Sequence, residues 1–137
     1  MSRSAKSTLP DPLKRRDILY GKDTPAEVLR KYGDLYLKDG RPNDAVEFFG
    51  RAHHAEGLRS IRRMAMDEAD LFLFSRAMEF LQEEISPDEW RNLGNKALEK
   101  GKLHFALKSF EKIGDREGID LARARLSEAL EHDKEAS

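Results

Sequence analysis

The chain contains no cysteine. That absence removes disulfides, thiolate chemistry and the usual structural zinc sites together, and it fits a reducing compartment. No apolar run approaches the roughly 20 residues a membrane helix needs, and the N-terminus lacks an apolar core of signal-peptide length. A cytoplasmic protein without a membrane span is the expectation. Excess charge of one sign is missing too: 25 Lys and Arg stand against 26 Asp and Glu, a formal net charge of −1. That balance argues against a nucleic-acid protein driven by bulk charge. No stretch reads as a strand. What is left is a 137-residue chain in which 37% of residues are charged. It is long enough for one domain with a real core, and it suits helices laced with ion pairs one turn apart.

The first residues differ from the rest. MSRSAKSTLPDPLKRRD carries Arg3, Lys6, Lys14, Arg15 and Arg16 against Asp11 and Asp17, with Pro10 and Pro12 breaking any long helix. Residues 1–22 read as a basic, largely disordered arm. Within it Leu13, Ile18, Leu19 and Tyr20 are placed to form one short helix.

Helix signals are dense from residue 24 onward. Thr24-Pro25-Ala26-Glu27 and Ser86-Pro87-Asp88-Glu89 share one grammar: a hydroxyl cap, proline at the first helical position, and a glutamate three residues on. Two like helix starts far apart call for a repeat test. A shift of 61 residues places Gly33 on Gly94, Leu37 on Leu98, Gly40 on Gly101, Ala45 on Ala106 and Phe49 on Phe110. Leu29 and Tyr32 fall on Trp90 and Leu93, and Glu56-Gly57-Leu58 falls on Glu117-Gly118-Ile119. Small residues matching in register mark a duplication.

Each copy reads as a helical hairpin. Gly33 and Gly94 lie mid-helix, where glycine costs roughly 1 kcal/mol relative to alanine, so a close approach by another backbone is expected there. Gly40 and Gly101 suit the left-handed residue that ends a helix. Arg41-Pro42-Asn43-Asp44 then opens a second helix, with Ala45 allowing a close crossing and Phe49 filling the space beyond.

Between the copies, Leu58, Ile61, Met64 and Ala65 suggest a helix ending near Met66-Asp67, with a turn over residues 67–70. Leu71, Phe72, Leu73, Phe74, Ala77, Met78, Phe80 and Leu81 then form a helix apolar on nearly every side. Ile119, Ala122, Leu126, Ala129 and Leu130 carry a last helix to Glu131, and no counterpart of a further helix follows it.

Trp90, Leu93, Gly94, Ala97, Gly101, Ala106 and Phe110, in this order, resemble a tetratricopeptide repeat. The first copy follows with Leu29, Tyr32, Gly33, Tyr36, Gly40, Ala45, Phe49 and Ala52, and KDGRPNDAVEFFGRA is close to the family's turn and second helix. Gly57 and Gly118 replace the customary proline. The 61-residue spacing is shorter than two of the family's 34-residue units, so the middle hairpin is expected to be short or irregular. The resemblance implies an all-α, right-handed superhelix of about three antiparallel hairpins plus a C-terminal capping helix. The repeat domain is expected over residues 23–131, followed by a disordered tail at 132–137.

Catalysis finds no footing in the residues. His53 and His54 are adjacent, so in a helix they point about 100° apart and do not share a face for a metal. No HExxH or phosphate-binding glycine loop occurs, and no cofactor is expected. Glu79, Glu83, Glu84, Asp88 and Glu89 read as a solvated face at a helix junction. The expectation is a non-enzymatic adaptor or scaffold that binds another protein or a peptide, as a monomer or a homodimer. The resemblance implies inward-facing positions at Glu27, Arg30, Asp34, Leu37 and Lys38, and at Asp88, Arg91, Asn95, Leu98 and Glu99. It further implies that Arg91 and Asn95, one turn apart, grip a carboxylate or a peptide amide. Arg59, Arg62, Arg63, Arg123 and Arg125 offer a competing basic stripe for RNA or anionic lipid.

Overall fold

Six consecutive helices in this chain end in the same way. The computed structural model describes residues 9–136, which hold eight helices and no strand. They are α1 (Pro12–Tyr20), α2 (Ala26–Lys38), α3 (Pro42–Arg51), α4 (Ala55–Glu68), α5 (Leu71–Leu81), α6 (Pro87–Glu99), α7 (Leu103–Ile113) and α8 (Arg116–Ala136). From α2 to α7, each is closed by a residue of positive φ: Gly40, His53, Ala69, Gln82, Gly101 and Gly114. At Gly40 the closure is made by Gly40 N–H donating to Leu37 and Arg41 N–H donating to Tyr36, at 3.1 and 2.9 Å. The other five repeat this pair of bonds, which satisfies carbonyls the helix leaves orphaned. Gly40 and Gly101 are thus the left-handed residues their spacing predicts. His53, Ala69 and Gln82 take the same conformation without glycine.

The duplication is kept to the residue. α2 and α6 begin and end at positions 61 apart, and the starts of α3 and α7, and of α4 and α8, keep that offset. The helix starts, however, differ from the capping motifs. Ser86 caps α6 with a complete capping box: its Oγ accepts from Glu89 N–H at 3.1 Å, and its own N–H donates to Glu89 Oε1 at 3.0 Å. The residue at the matching position of α2 is Pro25, which has no side-chain acceptor, and Thr24 lies one residue too early to cap. The two motifs are 62 residues apart while the helices are 61 apart, so only one of them falls in register.

The chain divides into two compact units. The first runs up to Arg62 and adds Leu73–Glu83. Here α2 packs along α3, with Tyr36 stacked on Phe48 at 5.2 Å between ring centroids. Phe49 fills the cleft between two glycines. A Cβ at Gly33 would lie 2.5 Å from Phe49 Cε1, and one at Gly57 would lie 2.9 Å from its Cδ2. The expected close approach at Gly33 is therefore made by an aromatic ring rather than a backbone. On α3, Glu47 takes a bidentate pair from Arg76 of α5, both bonds 2.7 Å, and Phe80 covers Gly50. Those bonds to Glu47 are the main reason the Arg76 guanidinium is held above its ordinary pKa. α1 docks on the same helix: Arg15 pairs with Asp44 at 3.0 Å, and Arg51 Nε donates to the Leu19 carbonyl at 3.1 Å. Leu19 is buried, whereas Leu13 and Tyr20 remain exposed. The arm expected over 1–22 thus contains a docked helix, and its residues 1–8 lie outside the described ones.

The second unit comprises Arg63–Phe72 and the chain from Glu84 onward. α7 packs against both α6 and α8. Its Phe110 repeats the arrangement of Phe49: a Cβ at Gly94 would lie 2.6 Å from Cε1, and one at Gly118 would lie 2.5 Å from Cδ1. Ala69, Ala97, Ala106, Ile119 and Ala122 complete this core. Phe72 meets Phe105 edge to face at 5.5 Å, and Lys102 Nζ donates to the Glu68 carbonyl at 2.7 Å. α8 continues through residues 132–136, the span assigned from sequence to a disordered tail. No helix among the described residues is long and apolar enough to cross a membrane.

Candidate binding grooves

Two surface grooves lie at matching places in the two copies. In the first unit, α2 presents Glu27, Arg30, Lys31, Asp34, Leu35 and Lys38 to a groove of about 510 Å³, closed on one side by His54. These α2 residues follow one another at steps of three, one, three, one and three, which puts them on one helix face. In the second unit, Arg91, Asn95 and Leu98 of α6 face Asp115 and the first turns of α8, where Glu117, Gly118 and Leu121 line a groove of about 460 Å³. Phe110 forms its floor. Arg30 and Arg91 match under the 61-residue shift, as do Asp34 and Asn95, and His54 and Asp115.

Of the positions implied by the family resemblance, Glu27, Arg30, Asp34 and Lys38 come together in the first groove, and Arg91, Asn95 and Leu98 in the second. Leu37 is half-buried and does not line the first groove. Glu99 faces Lys96 at 3.9 Å and lies outside the second.

The two arginines are not electrostatically alike. Arg91 pairs with Asp88 at 3.2 Å and with Asp115 at 3.6 Å. Asp115 is doubly used, because its Oδ1 also accepts the Gly118 N–H at 3.2 Å, in the opening turn of α8. In the first unit that position is His54, which turns edge-on to Phe49 at 5.3 Å. Arg30 therefore has no ion-pair partner among the described residues, with Lys31 and Lys38 on the same face.

Asp115, Glu117 and Leu121 were not singled out as groove residues from the sequence, nor was His54. The signal was present: position 54 falls on position 115 under the shift that aligns the glycines. The two histidines also sit differently from expectation. His53 has a positive φ and lies with His54 in the turn between α3 and α4, not within a helix.

Several of the other charged residues are engaged with one another. Arg62 and Arg59 share Glu83, at 3.0 and 3.8 Å. Glu79 binds Arg76, Asp88 binds Arg91, and Glu89 closes the α6 cap. Among the described residues, no three histidine or acidic side chains gather in a metal-binding arrangement. No family model, curated protein or solved structure matches this chain.

Proposed function

We propose that the chain is a non-catalytic interaction module of tetratricopeptide type, a cytoplasmic adaptor that holds a peptide or partner helix. In this reading the hairpins coil as a right-handed superhelix and the first helix of each hairpin faces the ligand. The observation that carries the reading is the pair of equivalent grooves, each with an arginine one turn from an aspartate or asparagine. A groove lined by charged residues on consecutive turns of one helix suits the side chains and amides of an extended peptide.

Because Arg91 is held between two carboxylates and Arg30 is not, the first groove is the stronger grip for an acidic group. Engagement of Arg59 and Arg62 by Glu83 weighs against the nucleic-acid reading.

The test is affinity capture with mass spectrometry, using the full chain and two double variants, Arg30→Ala with Asp34→Ala and Arg91→Ala with Asn95→Ala. These positions are exposed, so the variants are expected to fold normally, as circular dichroism would verify. Selective loss of one captured protein with the first variant is the expected result. An unchanged capture profile with both variants would sink the reading.

A further inference from the structure

The last helix carries a stripe that its own unit leaves uncovered. Under the 61-residue shift, Leu126 and Leu130 of α8 match Ala65 and Ala69 of α4. The two alanines are buried, at 0 and 2% exposure, whereas Leu130 is 64% exposed. α8 thus has larger apolar side chains at the matching positions, with Leu126 half-buried and Leu130 exposed. It also runs 21 residues against 14 for α4. Along it, Arg123, Leu126, Leu130 and Asp133 are spaced three, four and three residues apart, the spacing of a coiled-coil seam.

Charge along this helix is asymmetric. In its N-terminal half Arg116, Arg123 and Arg125 outnumber Glu117 and Asp120, and in its C-terminal half Glu128, Glu131, Asp133 and Glu135 outnumber Lys134. We propose that α8 pairs antiparallel with α8 of a second copy, giving a two-fold dimer. When Leu126 lies opposite Leu130 of the other copy, the same register sets Arg123 against Asp133. Two-fold symmetry makes this pair twice. The exposed Ser127 and Ala129 fall beside the axis, where small side chains let the helices approach. A parallel pair would set like charges side by side, so the sequence selects the antiparallel orientation as well as the occupant. The dimer is independent of the groove reading, since no groove residue lies beyond Leu121.

One short helix a side makes a small interface, so pairing is weak and depends on concentration. The experiment is sedimentation equilibrium of the full chain from about 1 to about 500 µM, a range that spans weak dimers. The wild-type chain passes from monomer to dimer, and Leu130→Glu stays monomeric. Arg123→Glu alone and Asp133→Arg alone each weaken self-association by about tenfold or more, because each creates two like-charge pairs. An equimolar mixture of these two variants pairs again, since the mixed dimer restores opposite charges at both places. That recovery separates a designed contact from damage to folding, which mixing does not repair. A strictly monomeric wild type, dimerisation of Leu130→Glu at wild-type strength, or no recovery in the mixture overturns the proposal. A monomer that binds anionic vesicles or a different protein through α8 overturns it equally.

Discussion

Phe110 lies against the backbone of Gly94, so close that an added Cβ would sit 2.6 Å from its Cε1. Helix propensity alone forecasts that Gly94→Ala stabilises α6 by about 1 kcal/mol. The ring contact forecasts the opposite, because Phe110 is also packed against Gly118. The expected net result is a loss of about 1–3 kcal/mol in urea unfolding, and more for Gly94→Leu. A gain in stability for Gly94→Ala would refute the glycine–phenylalanine packing.

The two hydroxyl motifs separate in the same kind of measurement. Ser86→Ala removes the Oγ that accepts Glu89 N–H, leaving only the backbone half of the capping box, and is expected to cost about 1 kcal/mol. Thr24→Ala removes no cap, since α2 has no side-chain cap bond, and is expected to stay within about 0.5 kcal/mol of wild type. Equal losses in the two variants would show that Thr24 does cap α2.

Gln82 is exposed and holds a φ of 56° at the end of α5, where three of the matching helix ends use glycine. Gln82→Gly relieves the left-handed strain of about 1 kcal/mol and returns part of it as unfolded-chain entropy. The thermal midpoint is expected to rise by a few degrees, roughly what a few tenths to 1 kcal/mol gives in a chain of this size. A fall in midpoint would contradict the assigned closure.

The Tyr36 hydroxyl is buried and makes no hydrogen bond. Burial pushes its pKa above the ordinary tyrosine value, against the pull of Arg15 and Arg41. Tyr36→Phe deletes an unpaired polar atom and keeps the stack on Phe48, so stability near neutral pH is expected to stay equal or rise by up to about 1 kcal/mol. The pH dependence has a definite sign. Above the unfolded tyrosine pKa the unfolded chain gives up the proton first, so wild-type stability falls as pH rises through the alkaline range. Tyr36→Phe is expected to flatten that fall, and parallel alkaline profiles for the two proteins would remove Tyr36 as a source.

Much of this fold was legible because its signals are local. Gly40 and Gly101 announce left-handed helix ends whatever packs around them, and the run Leu71–Leu81 reads as a helix from its apolar content alone. His53, Ala69 and Gln82 gave no such signal, because they adopt positive φ only when the surrounding helices hold them there. The grooves were half legible. Helical spacing places Arg30 with Asp34 and Arg91 with Asn95, but the side chains facing them come from the turn before α4 and from Asp115 and the first turns of α8.

Sequence by itself therefore determined the all-helical character, the duplication and its register, since periodicity, capping grammar and matched small residues are properties of the chain. Tertiary structure decided what the glycines face, which motif caps, and which arginine is spent. Arg30 and Arg91 are the same residue at the same repeat position. The neighbour brought against them differs, His54 in one unit and Asp115 in the other. Asp115, together with Asp88, leaves Arg91 paired twice while Arg30 has no ion-pair partner among the described residues, because an ion pair depends on distance in space and not on distance along the chain.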